Sequence, residues 1–201
     1  YTRYGMNPSI TALETQMAPL ENAERALVFG AGMAAISATC LAHGRRGVVC
    51  VGDLYGGTLE LVGDQLPQLG IATRLLRDDE IDRLALVLAQ MQPSLVLLET
   101  PCNPTLAIRD IEAIARLSRG HGALLAVDNT FATPVNQQPL GLGADLVLHA
   151  ATKYLGGHSD ITAGVVMGSA ELLRPIWSWR KNLGQIPSPE TAALLSRSLR
   201  T

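Results

Sequence analysis

Five residues with chemically useful side chains each follow a short apolar run of the sequence: Tyr55, Asn103, Asp128, Thr152 and Lys153. Taken singly, each has an ordinary structural explanation. An aspartate that ends a strand often caps a turn, an asparagine before proline is a common turn residue, and a lone loop lysine is normally solvated. A tyrosine beside two glycines is explained by packing alone. Their significance therefore depends on whether the fold brings them together.

The elements that must position these residues alternate along the chain. Apolar runs predict strands over 47–51, 71–76, 94–99, 123–128, 144–149 and 163–168. Helical periodicity predicts helices over 56–68, 80–91, 110–119 and 170–182. This alternation predicts an α/β fold with a mostly parallel, mixed sheet flanked by helices. Because the carboxyl ends of parallel strands share one edge of the sheet, we expect the five residues along one rim.

The segment GAGMAA, residues 30–35, is a glycine-rich turn that opens a further helix. Its Gly-x-Gly-x-x-Ala pattern is the local outline of a dinucleotide site, and Asp53 is the acid expected about 20 residues later. The same turn is also a general anion site, because the free N–H groups and the dipole of a helix N-terminus attract phosphate. Both interpretations are open on this segment alone.

An aromatic ring, a carboxylate, a lysine and an anion site together match the needs of pyridoxal phosphate. A lysine forms a Schiff base with the aldehyde of this cofactor, and a carboxylate keeps the pyridine nitrogen protonated, which makes the ring an electron sink. An aromatic side chain stacks on the ring, and a helix N-terminus binds the phosphate. A dinucleotide would leave Asp128, Lys153 and Tyr55 without a role, so the sequence favours pyridoxal phosphate.

The composition is that of an ordinary globular protein, with 201 residues, 47% hydrophobic residues and a net charge of −2. This balance gives no electrostatic footprint for nucleic acid, and no apolar run approaches the roughly 20 residues of a membrane span. Cys40, Cys50 and Cys102 form no CxxC pair, which suits a reducing compartment. We expect a cytoplasmic protein that acts on a small molecule and binds no metal, nucleic acid or membrane.

Seven segments in order resemble the Cys/Met-metabolism enzymes that depend on pyridoxal phosphate, the group of cystathionine γ-synthase, cystathionine γ-lyase and methionine γ-lyase. They are YTRYGMNPS, GAGMAA, YGGT, ETPCNP, DNTFATP, ATKYLGGHSD and SPETAALLSRSLRT. The resemblance runs from end to end of the chain. It implies the large domain of a fold-type-I pyridoxal-phosphate-dependent transferase, similar to that of aspartate aminotransferase.

The resemblance assigns the residues around the cofactor ring. Lys153 would carry the cofactor as a Schiff base, and Asp128 would pair with its pyridine nitrogen. Tyr55 would stack on the ring and serve as the acid for the leaving group. Asn103 would hydrogen-bond the ring hydroxyl oxygen.

The resemblance also assigns the phosphate end. Gly32, Met33 and Thr152 would hold the phosphate of the chain's own cofactor. Tyr1 and Arg3 would reach the phosphate of the neighbouring subunit's cofactor, and a guanidinium is well suited to bind phosphate in a bidentate way. The implied assembly is a homodimer with shared sites that pairs into a tetramer.

The chain departs from the family pattern in three places. Ala31 and Ala150 stand where the family commonly has serine, and each serine would add a hydrogen bond worth about 1.5–3 kcal/mol to a charged phosphate. The spacing within RYGMN is one residue longer than usual. We expect residues 1–8 to be part of an N-terminal arm that reaches the neighbouring subunit. Residues 9–201 would form the cofactor-binding large domain, and the family's C-terminal small domain is absent from this chain.

The implied activity makes or breaks C–S bonds at the γ carbon of amino acids derived from homocysteine or homoserine, as in cystathionine γ-lyase or γ-synthase. YGGT resembles the cystathionine enzymes and homoserine sulfhydrylases, whereas methionine γ-lyases often have cysteine in place of Gly57. The segment 188–201 resembles lyases. Methionine γ-lyase, O-acylhomoserine sulfhydrylase and an aminotransferase of the same fold type stay as alternatives. A further alternative is a catalytically silent domain that keeps the dimer contacts.

Overall fold

The computed structural model describes residues 1–200. The strands are β1 (Arg25–Phe29), β2 (Val48–Val51), β3 (Thr73–Leu76), β4 (Leu95–Glu99), β5 (Leu124–Asp128), β6 (Leu146–His149) and β7 (Gly164–Gly168). The α-helices are α1 (Pro8–Met17), α2 (Gly32–His43), α3 (Gly56–Glu60), α4 (Leu66–Gln68), α5 (Leu84–Met91), α6 (Ile111–Gly120), α7 (Thr133–Asn136), α8 (Ala170–Asn182) and α9 (Pro189–Ser198). A π-helical turn, Leu61–Gln65, joins α3 to α4, and 3₁₀ turns lie at Thr2–Tyr4, Ala18–Glu21, Asp78–Arg83 and Pro139–Leu142.

The seven strands form one sheet in the order β1-β7-β6-β5-β4-β2-β3. Every neighbouring pair is parallel except the two pairs that include β7, which lies antiparallel between β1 and β6. The predicted α/β fold with a mostly parallel sheet is therefore confirmed. The carboxyl ends of the other six strands share one edge of the sheet, which is called the carboxyl rim below.

Both faces of the sheet are covered by helices, because successive residues of each strand point to opposite faces. On one face, α2 and α8 pack on alternate strand residues such as Phe29, Cys50 and Leu97. On the other face, α5 and α6 pack over the centre of the sheet. There α1 and α9 cover β1 and β7. The result is a three-layer domain whose polar rim is left for a ligand.

All six predicted strands are present, but the predicted set contains no strand at Arg25–Phe29. β1 is an edge strand that pairs only with β7, and it lies in the apolar run just before the GAGMAA turn that opens α2. The predicted helix over 56–68 is present in three pieces, because the π-helical turn interrupts it. The predicted helix over 80–91 begins with a 3₁₀ turn.

Because β7 is antiparallel, its first residue, Gly164, lies at the carboxyl rim. A Cβ at this position would overlap the carbonyl oxygen of Ala31 and lie 2.8 Å from the Cα of Gly32. Only glycine therefore allows the start of α2 to pack this closely against β7. This contact fixes the N-terminus of α2 at the rim.

The described residues were also compared with the requirements of a membrane span, a metal site and a disulfide. Among residues 1–200, none of the helices combines the length and apolarity needed to cross a bilayer. No group of three or more His, Cys, Asp or Glu side chains in the described part of the chain is placed to hold a metal ion. Cys40, Cys50 and Cys102 are unpaired and buried, and burial raises the pKa of the Cys40 thiol to about 12.

Candidate active site

A cavity of about 910 Å³ opens at the carboxyl rim of the sheet. Seven of the nine predicted site residues line it: Gly32, Met33, Tyr55, Asn103, Asp128, Thr152 and Lys153. The lining also contains polar and aromatic residues that the sequence did not single out, namely Glu99, Thr130, Phe131 and Tyr154. Segments from Ala31 to Thr162 are thus brought around one cavity by the parallel strands.

Asp128, at the end of β5, lies deep in the cavity with an exposure of 8%. The hydroxyl and the N–H of Thr130 both donate to its Oδ1, over 2.5 and 3.0 Å. The same hydroxyl accepts from the N–H of Ala150 over 2.7 Å, which links β5 to the loop before Lys153. Burial raises the pKa of Asp128, while the Thr130 bonds and His149 lower it. Both bonds go to Oδ1, so Oδ2 is left without a hydrogen-bond partner among the described residues.

Lys153 lies in the turn that follows β6. The turn is closed by the N–H of Lys153, which donates to Ala150 over 3.0 Å, and by the N–H of Gly157, which donates to the Lys153 carbonyl over 2.7 Å. The side chain is exposed to the cavity and its ammonium forms no ion pair within residues 1–200. The chain's other lysine, Lys181, lies on α8 with its ammonium 4.8 Å from the Trp177 ring. Of the two lysines, only Lys153 lines the cavity.

The N-terminus of α2 provides N–H groups at one end of the cavity. The residue before the helix, Ala31, has no side chain that can cap it. The first N–H groups of an α-helix lack intrahelical acceptors and lie at the positive end of its dipole. A Cβ at Gly32 would lie 2.7 Å from the Cβ of Ala150, so glycine is needed where α2 meets the loop before Lys153. This arrangement can bind a phosphate through the backbone.

Thr152 lines the same end of the cavity, but its hydroxyl already has partners. It donates to the carbonyl of Ala163 over 3.1 Å and accepts from the N–H of Ala163 over 2.9 Å. The hydroxyl therefore ties the loop before Lys153 to the segment before β7. A phosphate contact from Thr152 stays a prediction, and it requires the hydroxyl proton to turn away from Ala163.

Tyr55 and Asn103 lie at the mouth of the cavity, and both are exposed. Tyr55 precedes α3, and its side chain is 50% exposed. The N–H of Tyr55 donates to Oε2 of Glu99 over 2.8 Å. The N–H of Asn103 donates to Oε1 of the same carboxylate over 3.0 Å. Both residues are thus anchored through their backbones while their side chains remain free for a ligand.

Glu99 is the buried acid among the cavity residues that the sequence interpretation missed. It is the last residue of β4, is 7% exposed, and pairs in register with Asp128 on β5. Burial and the neighbouring charge of Asp128 raise the pKa of Glu99 to about 7, although the N–H groups of Asn103 and Tyr55 lower it. An acid at the end of an apolar run was the available signal, since Asp128 was found in the same way.

Tyr1 and Arg3 lie outside the lining of this cavity. Arg3 donates to the carbonyl of Lys181 over 3.3 Å, and its guanidinium is 4.7 Å from the centre of the Tyr4 ring. Tyr1 is 74% exposed and packs edge-on against Tyr4. Neither side chain serves the chain's own cavity, so the contact with a neighbouring subunit stays a prediction.

The residues of the cavity fit pyridoxal phosphate by the chemistry of their donors and acceptors. Asp128 presents a free carboxylate oxygen, Lys153 presents an unpaired amine, and the start of α2 presents N–H groups. The absence of a Cβ at Gly32 lets the start of α2 pack directly against Ala150, beside the loop that carries Lys153. Asp53, the acid required by a dinucleotide, is not part of the lining. Fold and cavity together define a class of protein, the α/β domains that bind pyridoxal phosphate.

The chain belongs to the Cys/Met metabolism PLP-dependent enzyme family, whose sequence profile matches residues 1–201. It is 40% identical over 203 residues to cystathionine gamma-synthase 1, chloroplastic, of Nicotiana tabacum, and covers 37% of that protein. It is 41% identical over 201 residues to L-methionine gamma-lyase of Pseudomonas putida, and covers 50% of that protein. These alignments include 100% and 97% of the present chain.

Solved structures give the same result. The crystal structure of cystathionine gamma synthase from Xanthomonas oryzae pv. oryzae in complex with cystathionine superposes with a TM-score of 0.93 at 40% identity. The superposition includes 100% of this chain and 52% of that one. The chain thus spans about half or less of the length of these three proteins. The predicted fold and family are confirmed, and pyridoxal phosphate is confirmed as the cofactor of the family.

Proposed function

We propose that this chain is the cofactor-binding part of a transsulfuration-type enzyme, which makes or breaks C–S bonds at the γ carbon of amino acids derived from homocysteine or homoserine. The observation that carries the proposal is the placement of Asp128, Lys153 and Tyr55 around one cavity beside the uncapped start of α2. Relatives named cystathionine gamma-synthase and methionine gamma-lyase align along nearly the whole chain and support the same chemistry.

Pyridoxal phosphate, when bound, supplies an electron sink for a carbanion at the substrate Cα. Asp128 would hold a negative charge at the pyridine nitrogen through Oδ2, while Thr130 fixes Oδ1. Lys153 would hold the cofactor in the resting enzyme and take the Cα proton of the substrate, because its amine forms no ion pair in the described part of the chain. Tyr55 would cover the ring and donate a proton to the departing γ substituent.

The remaining cavity residues would bind and orient. Asn103, at the mouth of the cavity, would hydrogen-bond the ring hydroxyl oxygen. Gly32 and Met33 would bind the phosphate through the start of α2, with Thr152 beside them. Ala31 and Ala150 supply no hydroxyl there, so the backbone would carry more of the phosphate binding than in relatives with serine.

Within this reaction class, we favour a cystathionine γ-synthase or γ-lyase activity. A Cβ at Gly57 would lie 2.9 Å from Cε1 of Tyr55 and 3.2 Å from Sδ of Met33. A side chain here, such as the cysteine common in methionine γ-lyases, would therefore press on the proposed stacking ring. Glycine lets the Tyr55 ring and Met33 pack directly against the backbone of residue 57. Methionine γ-lyase and O-acylhomoserine sulfhydrylase activities are the alternatives, and a product assay with cystathionine, methionine and an O-acylhomoserine separates them.

We further propose the organisation of the complete enzyme. Residues 1–8 would be part of an arm that serves a neighbouring subunit, and residues 9–201 would form the large domain of a homodimer that pairs into a tetramer. The exposed Tyr1 and Arg3 support this arm, because neither reaches the chain's own cavity. Three buried, unpaired cysteines support a cytoplasmic location, although some relatives are named as chloroplastic.

The central assignment predicts a covalent label on one of two lysines. Borohydride reduction of the protein loaded with pyridoxal phosphate should leave the pyridoxyl group on Lys153. Lys181 is the matched control, since its ammonium is held near Trp177 and lies outside the cavity. The Lys181→Ala variant should retain the yellow colour and the label, and Lys153→Ala should lose both. A label on Lys181, or on neither lysine, contradicts the proposal and favours a catalytically silent domain.

A further inference from the structure

We propose that Glu99 is a positioning residue that holds the Tyr55 loop and the Asn103 loop together at the mouth of the cavity, so that both side chains meet the cofactor ring. The proposal rests on the proposed function, because it concerns the same cavity. It adds a role for a buried carboxylate that does not itself take part in the chemistry described above. Glu99 would act only through the two loops.

The Glu99 carboxylate accepts one hydrogen bond from each of the two loops, and this arrangement is called the clamp below. Oε2 accepts the N–H of Tyr55 over 2.8 Å, and Oε1 accepts the N–H of Asn103 over 3.0 Å. The Tyr55 loop follows β2, and Tyr55 is 44 residues from Glu99 in the sequence. The Asn103 loop follows β4, and Asn103 is 4 residues from Glu99. Glu99 itself is 7% exposed and fixed at the end of a central strand. One rigid group therefore sets the separation of two loops whose side chains are exposed.

The clamp requires a carboxylate of this length. A glutamine offers one acceptor oxygen and would place an NH₂ donor against the other N–H, so one of the two hydrogen bonds is lost. An aspartate keeps two acceptors but is one methylene shorter, so it cannot reach both loops from the same backbone position. Bonds to an ionised acceptor are also about twice as strong as neutral ones. Neither substitution can therefore keep both hydrogen bonds.

Charged groups around Glu99 act in opposite directions. Asp128, its partner in register, repels the ionised carboxylate, and burial adds to this effect. Lys153 lines the same cavity, and His149 interacts with Asp128 from β6. A proton on the cofactor's ring nitrogen would offset the charge of Asp128. Cofactor binding and closure of the clamp should therefore favour each other.

The first test measures hydrogen exchange in the cofactor-free protein at pH 8, where Glu99 is ionised. In Glu99→Gln, we expect exchange to be roughly tenfold faster in peptides that contain Tyr55 or Asn103. Glu14→Gln is the matched control, because Glu14 also accepts two bonds, from the N–H of Val28 and from Arg180, and none of these residues lines the cavity. The control should lower the midpoint of unfolding and leave exchange at Tyr55 and Asn103 unchanged. Unchanged exchange in Glu99→Gln contradicts the clamp.

The second test measures the dissociation constant of pyridoxal phosphate by quenching of tryptophan fluorescence. We expect a rise of about tenfold or more in Glu99→Gln, and a change below about twofold in Glu14→Gln. Faster loop exchange without weaker cofactor binding overturns the positioning role. If the wild-type protein itself does not bind the cofactor, the proposed function fails, while the exchange result still decides the clamp.

Glu99→Asp is the second variant, for the case in which Glu99→Gln does not fold. It keeps the charge beside Asp128 and shortens the reach, so exchange should rise in at least one of the two loops. Wild-type exchange in both loops together with wild-type cofactor affinity would show that reach is irrelevant, and would overturn the proposal.

Discussion

At the scale of single residues, the cavity holds two carboxyl groups side by side, Glu99 and Asp128, at the ends of adjacent strands. Both are buried, and the pKa of each is raised in the folded protein. Glu99 lacks a cationic partner among the described residues, and its two partners are backbone N–H groups. Its ionisation therefore opposes folding in the absence of a ligand.

This pair predicts a pH dependence of stability. The pKa of Glu99 is raised from 4.5 to about 7 in the folded protein, so between these values the folded chain holds a proton that the unfolded chain releases. The free energy of unfolding of the wild type, relative to Glu99→Gln, should therefore fall as the pH rises through this window. Urea unfolding of both proteins at several pH values between 4 and 8 measures the difference. A difference that is constant or rises across the window contradicts the predicted burial of this proton.

At the scale of elements, the position of α2 depends on a glycine at its first turn. Gly32→Ala should cost about 1–3 kcal/mol in the free energy of unfolding, because the new Cβ would lie 2.7 Å from the Cβ and 2.9 Å from the Cα of Ala150. It should also weaken cofactor binding, since the start of α2 would move away from the loop before Lys153. Urea unfolding and fluorescence quenching by pyridoxal phosphate provide the two measurements.

Gly63→Ala is the control for this prediction. Gly63 lies in the exposed π-helical turn, and a Cβ there would meet no atom within 4 Å. The substitution should raise stability by up to about 1 kcal/mol, because alanine favours helix over glycine, and should leave cofactor binding unchanged. Equal effects of the two substitutions would show that the contact with Ala150 is unimportant.

Some strands and site residues could be predicted from the sequence, and others could not. The buried parallel strands are apolar throughout, so they and the polar residues at their ends were predictable. Asp128 and Lys153 were found because each follows such a strand. Glu99 also ends such a strand, so its place at the rim was predictable, but its hydrogen bonds were not, because its partners are backbone N–H groups that no residue type marks. The edge strand β1 was missed because its pairing with β7 follows from the whole sheet.

At the scale of the whole molecule, Tyr1 and Arg3 are separate from the cavity of their own chain. Arg3 contacts Lys181 and Tyr4 on its own chain, while the cavity is lined without it. A role for Arg3 at a phosphate therefore requires a second subunit. The chain spans about half the length of these relatives, and a contact between Arg3 and a neighbouring subunit's cofactor stays a prediction about the complete enzyme.

Mixing two inactive variants tests whether sites are shared. Arg3→Ala and Lys153→Ala would be combined and allowed to exchange subunits, with mixed dimers confirmed by native mass spectrometry. If Arg3 serves its neighbour, a mixed dimer has one site with both defects and one intact site, so activity should return to about half per mixed dimer. If mixed dimers form and no activity returns, Arg3 acts within its own chain or only at the surface.

The antiparallel strand β7 also limits which amino-acid substitutions the protein can accept. Gly164 contacts no proposed substrate or cofactor group, yet a Cβ there would overlap the backbone of Ala31 beside the start of α2. In a mutational scan, every substitution at position 164 should score as severely as the loss of a catalytic side chain. Substitutions at Gly164 would fail because the backbone of Ala31 lies too close for any side chain. Such positions can be distinguished from catalytic residues, because no change of substrate, pH or cofactor concentration should restore activity to their variants.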